Sequence, residues 1–177
     1  TASSLGISAT NAPQVKQTLY QDSTAGASPF VATSTGSGTE ITVLTTSITP
    51  RSTGSTVLVT IAINLGASGS LTYGAFRITR NGTEIGSNSV GSLLYGIAPL
   101  NSTGSTSGSV FTSQFIQILD SPASASAVTY KIHLYATGPT NFPSIWLNRT
   151  LQDVTNGVNA DSLARVSSSM ILQEYFA

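Results

Sequence analysis

The side chains able to do chemistry are few. The chain has one histidine, His133, no cysteine, seven Lys or Arg and seven Asp or Glu. Hydrolysis by a nucleophile, a base and an orienting group needs a histidine near a hydroxyl and a carboxylate. His133 reads as a mid-strand residue, with Lys131 and Tyr135 on the same face at period two. That placement is the ordinary one for a surface or interface histidine. No G-x-S-x-G turn is present. Without cysteine, thiolate metal sites and disulfides are excluded, and a zinc site would have to be built largely from carboxylates. Asp153 and Asp161 flank the segment VTNGVNA, whose oxygens could serve calcium. Asx-turns account for the same residues without a metal. A glycosidase would need two of the seven acids on either side of a cleft, and the sequence favours no pair. The glycines at 54, 66, 69, 91 and 104 sit in small-residue turns, without the strand-to-helix setting of a phosphate loop. These observations point to no catalytic residue, no metal and no cofactor.

Recognition chemistry is a separate question. Trp146, Tyr95 and Tyr135 are the aromatics with a polar tip that could stack on a sugar. Trp146 lies between Ile145 and Leu147, which suits core or interface better than an exposed platform. Asn81, Asn101 and Asn148 each begin an N-x-T/S triplet. In a chain with 28 Ser and 25 Thr such matches arise by chance. Charged residues make up 8% of the chain and the net charge is zero, against about 25% charged in an ordinary soluble domain. The surface is therefore one of hydroxyls and amides. It has no field for nucleic acid or an anionic membrane, and no apolar run long enough to span a bilayer. Low charge also gives weak mutual repulsion, which suits a surface that partners cover.

The elements that must carry these residues are strands. Residues 1–20 read as an extended N-terminal arm: Pro13 works against a helix, and Val15–Tyr20 suits a short edge strand. Residues 21–177 read as one β domain. Thr39–Ile48 is rich in β-branched residues and predicts a continuous strand. Thr56–Leu65 is the strongest strand, with Val57, Val59, Ile61, Ile63 and Leu65 on one face. Leu58 and Ala62 make its other face partly apolar, so it should be central or lie at a seam between subunits. Leu71–Thr79 reads as the next strand, and Asn81-Gly82 is a strong hairpin turn between Phe76–Arg80 and Thr83–Ile85. Val110–Leu119, Ala127–Tyr135, Ser144–Arg149 and Ser167–Tyr175 complete the set. Residues 101–109, NSTGSTSGS, predict an exposed loop. No segment has a sustained helical period. The fold class is all-β, an antiparallel sandwich or jelly roll.

Four segments carry a resemblance: ITPRSTGSTVLVTIAINLG (48–66), GAFRITRNGTEIG (74–86), ILDSPASASAVTYKIHLYA (118–136) and ARVSSSMILQEY (164–175). In type and order they resemble segments of tailed-bacteriophage virion proteins, the C-terminal β domains of tail fibres and minor structural proteins. The resemblance implies a C1q/TNF-like jelly roll, a homotrimer, a virion location after synthesis in the host cytoplasm, and docking to other virion proteins through the N-terminal arm. It implies a non-enzymatic protein. Val57, Val59, Ile61, Ile63, Tyr130, Ile132, Leu134, Met170 and Leu172 would then be core, and Leu58, Ile171 and Tyr175 would face the three-fold axis. A capsid decoration protein and a module binding a host surface glycan are the alternative functions.

Overall fold

The computed structural model describes residues 13–21, 30–31, 38–67, 74–86, 96–99, 111–136, 144–149 and 166–175. Residues 1–12, Tyr95, the loop 101–109 and the Asp153–Asp161 segment lie outside these. The described residues form two antiparallel sheets packed face to face, with no closed barrel and no α-helix.

The first sheet is built around β5 (Thr56–Ala67). One edge of β5 pairs with β9 (Phe111–Asp120) from Val57 to Gly66. Its other edge pairs with β12 (Ser167–Tyr175), and beyond that with β11 (Ser144–Leu147). β1 (Val15–Gln21) lies outside β12, and β2 (Phe30–Val31) outside β11. The second sheet centres on β10 (Val128–Ala136) and β6 (Gly74–Arg80). Beyond β10 lie β3 (Thr39–Glu40) and β4 (Thr46–Ile48). Beyond β6 lie β7 (Thr83–Ile85) and β8 (Ala98–Pro99). The pairing is nested: β1 with β12, β4 with β10, β5 with β9, and β6 with β7.

Period-two alternation explains the core. Val57, Val59, Ile61 and Ile63 of β5 meet Tyr130, Ile132 and Leu134 of β10 and Met170 and Leu172 of β12, and all are buried. Every residue expected in the core is there. The turn between β6 and β7 is also as read: Asn81 has φ of 50° and Gly82 of 83°, the positive values a type I′ turn needs.

Thr39–Ile48 is not one strand. It splits into β3, a 3₁₀ turn at Thr42–Leu44, and β4. Alternation over the whole run would bring only part of its apolar set inward. The turn, closed by the Leu44 N–H donating to the Ile41 carbonyl at 3.0 Å, lets Ile41, Leu44 and Ile48 all reach the core. Burial of three large side chains outweighs the β preference of the intervening threonines.

Polar contacts hold the sheets together at their margins. Thr46 donates its hydroxyl to Thr18 Oγ1 at 2.8 Å, and Thr18 donates to the Thr45 carbonyl at 3.1 Å. These bonds tie β1 to the other sheet. At one end of the sandwich, Arg80 Nη1 donates to both oxygens of Asp120 at 2.7 and 2.8 Å, and the Tyr130 hydroxyl donates to the same carboxylate at 2.7 Å. Burial, reinforced by the Asp120 carboxylate, pushes the Tyr130 phenol well above its ordinary pKa. Tyr130 therefore remains a donor.

Candidate interaction surface

The register places the outward side chains of the first sheet in cross-strand rows. One row runs Leu19, Ser169, Ala62, Phe115. The next is Gln17, Ile171, Thr60, Gln117. The third is Val15, Gln173, Leu58, Leu119. Tyr175 and Thr56 pair at the end. None of these side chains is charged. Several are apolar and open to solvent: Phe115 is 66% exposed, Leu119 61%, Val15 58% and Leu19 54%. Exposed apolar residues scattered singly are normal, but a contiguous set is the mark of an interaction site. Polar groups on this face bond among themselves: Gln117 donates to Thr60 Oγ1 at 3.2 Å.

The outer face of the second sheet is the opposite in character. Lys131 meets Glu40 at 2.9 Å, and Arg77 meets Glu84 at 3.2 Å. The Arg77 guanidinium stacks 3.5 Å from the Tyr135 ring centroid. His133 Nε2 lies 3.0 Å from Thr79 Oγ1. His133 lies on this outer face yet is buried, because the side chains of Arg77, Thr79, Glu40 and Lys131 stand on the neighbouring strand positions. Desolvation pushes its pKa below the ordinary value. The backbone at Gly38 and the carboxylates of Glu40 and Glu84 oppose that shift, while the Lys131 charge adds to it. The imidazole is neutral at pH 7. Thr79 is also buried, so the histidine–hydroxyl pair has no access to a substrate.

The other sequence-derived candidates separate in space. Trp146 is buried opposite Gly66. Trp146 is therefore no open sugar platform, and one face of the Tyr135 ring is taken by Arg77. Asn148, the start of one N-x-T triplet, is fully buried with φ of 63°. It donates to the Tyr20 carbonyl at 2.8 Å and accepts from Ser168 at 2.5 Å, filling the gap where β11 gives way to β12 along β5. Asp120 and Glu174 share an inward row with Val57 between them. Asp120 is held by Arg80 and Tyr130. Glu174 is fully buried and accepts the Arg51 backbone N–H at 2.6 Å. Among the described residues, no group of three His, Asp or Glu side chains could hold a metal.

Sequence reasoning named Leu58, Ile171 and Tyr175 on the first face. It missed Phe115, Leu119, Val15 and Leu19. The signal existed in FTSQFIQIL, where Phe115 and Leu119 fall on one face at period four while Ile116 and Ile118 fall on the other. Both faces of that strand are apolar, and only one can look into the core. No protein-family model matches the chain, and no curated protein matches it.

Proposed function

We propose that this chain is a structural protein of a tailed-phage virion: a surface-exposed, fibre-like homotrimer that works by assembly rather than catalysis. Its sandwich is a C1q/TNF-like jelly roll, and the N-terminal arm ahead of β1 docks it to the particle. The observation that carries the reading is the contrast between the two sheet faces. One pairs its charges and suits water. The other carries no charged side chain among the described residues and displays large apolar side chains, as the core of an obligate homo-oligomer interface does. The nested pairing supports the jelly roll. A ribbon in which the first strand pairs with the last, the second with the next to last, and so inward, rolls up into two sheets in this order. The four phage-like segments coincide with the β4–β5, β6–β7, β9–β10 and β12 regions, so the resemblance and the core rest on the same strands.

The virion assignment is tested by immunogold labelling of intact particles of the encoding phage, with antibody to the purified protein. Gold at a fixed site on the particle surface is the expected result. Label confined to infected-cell lysate, with clean particles, overturns the assignment.

A further inference from the structure

The charges on the outer face of the second sheet surround His133. The register sets Arg77 of β6 on one side of it and Glu40 of β3 on the other. Lys131 and Tyr135 stand two residues away along β10, and Glu84 of β7 joins the group through Arg77. Four of these side chains form two ion pairs, Lys131 with Glu40 and Arg77 with Glu84. Their charges cancel as long as the imidazole is neutral.

The acceptors near His133 are already in use. Glu40 Oε1 accepts from the Thr45 hydroxyl at 3.2 Å, and Oε2 from Lys131 at 2.9 Å. Glu84 Oε1 lies 3.2 Å from Arg77 Nε, and its Oε2 accepts from Arg77 Nη1 at 3.4 Å. Thr79 Oγ1 meets His133 Nε2. His133 Nδ1 is buried and has no hydrogen-bond partner among the described residues. A neutral ring carries one N–H, and Thr79 can accept it. An imidazolium carries two. The second would be a buried donor with no acceptor, on a charge set beside Arg77 and Lys131. Proton uptake therefore requires the surroundings of Nδ1 to move.

The two sides of β10 resist movement unequally. β6 pairs with it over seven residues, Tyr130–Ala136. β3 pairs with it through Thr39 and Glu40 alone. The chain is then fixed at Ile41, whose N–H donates to the Ile132 carbonyl at 2.9 Å and whose side chain is in the core. On the near side of Thr39 lies Gly38, packed against the Leu134 carbonyl. Its backbone favours charge on the ring, so displacement of this same segment is what relieves the new donor. Short marginal strands of this kind open at little cost while the core stays folded.

We propose that Gly38–Glu40 is an acid-operated flap: proton uptake by His133 detaches β3 from β10, with Ile41 as the hinge and the rest of the sandwich in place. The open form binds the proton more tightly than the closed one. The flap therefore opens as the pH falls through the ordinary histidine value of 6.5. Opening bares the β10 backbone opposite Thr39 and Glu40, a stretch of sheet edge able to pair with another strand. The device belongs to the second sheet and is independent of the assembly proposed above.

The test is amide hydrogen exchange of the full chain followed by NMR between about pH 7 and pH 5, corrected for the intrinsic pH dependence of exchange. The reporter is Leu134, which faces Thr39 in the register; amides of β5 are the reference. The His133 ring signal gives its titration in the same samples. The expected result is a roughly tenfold loss of protection at Leu134 that follows the His133 titration, with β5 unchanged. His133→Gln, which takes up no proton, should keep Leu134 protected throughout. The wild-type comparison stands by itself if that variant does not fold. Unchanged protection at Leu134 while His133 titrates overturns the flap. So does an equal loss in β5, which means global unfolding, and so does a His133 that takes up no proton down to about pH 5.

Discussion

Asp120 offers a quantitative test of how the two sheets are joined. It sits on β9 in the first sheet, and its partners Arg80 and Tyr130 sit on β6 and β10 in the second. Replacing Asp120 with Ala strands the buried Tyr130 hydroxyl, which costs about 1–3 kcal/mol. It also loses the Arg80 pair. That arginine side chain is 25% exposed, so its share is held to roughly 0.5–1 kcal/mol. The total is about 1.5–4 kcal/mol. Tyr130→Phe removes one hydrogen bond to a charged acceptor and leaves Asp120 with Arg80, at a cost of about 1.5–2 kcal/mol. Once Asp120 is gone, the hydroxyl has nothing to lose, so removing it costs little or relieves a penalty. The double variant should therefore be more stable than the sum of the single losses by about 1.5–3 kcal/mol. Urea unfolding followed by Trp146 fluorescence, at one fixed protein concentration, measures all four corners of the cycle. Additivity within about 0.5 kcal/mol would refute the bridge.

Other consequences follow from single residues. His133 is held neutral by burial, so its folded pKa lies below the unfolded value of 6.5. The unfolded chain then binds more protons below that pH, and stability should fall as the pH drops through about 6.5 toward the folded value. His133→Gln should flatten the decline, read from urea midpoints between pH 7 and 5; an unchanged slope would place the titration elsewhere. Phe115→Ser should weaken self-association by about 2 kcal/mol per contact, roughly thirtyfold, in a sedimentation dilution series. Unaltered association would mean that the ring stays in solvent. Gly38 has φ of 95°, and a Cβ there would collide with the Leu134 carbonyl oxygen; Gly38→Ala should cost about 2 kcal/mol or more in urea unfolding, and a neutral result would contradict the close approach.

The fold was legible wherever one face of a strand is apolar and the other polar. β5, β10 and β12 have that pattern, and the Asn81-Gly82 turn names its own geometry. Reading failed where burial did not follow period two, as at Ile41, Leu44 and Ile48, which only a 3₁₀ turn turns inward together. It also failed where the deciding partner is remote. Lys131 and Glu40 are 91 residues apart, and Glu174 Oε1 accepts from a backbone N–H 123 residues away. Nothing local marks either contact. The uncharged face was half legible. Leu58 and Ile171 are apolar residues at otherwise polar positions, which one strand alone can disclose. That β9 is an edge among the described residues, with Phe115 and Leu119 facing outward, is a property of strand order.

In the proposed assembly the uncharged face joins copies of this chain into a trimer. The most direct test is the native mass of the purified full chain by light scattering, over a range of concentrations. The trimer gives a single species of three times the 18.2 kDa chain mass at every concentration. A species that stays at one chain mass up to the highest concentration would contradict it.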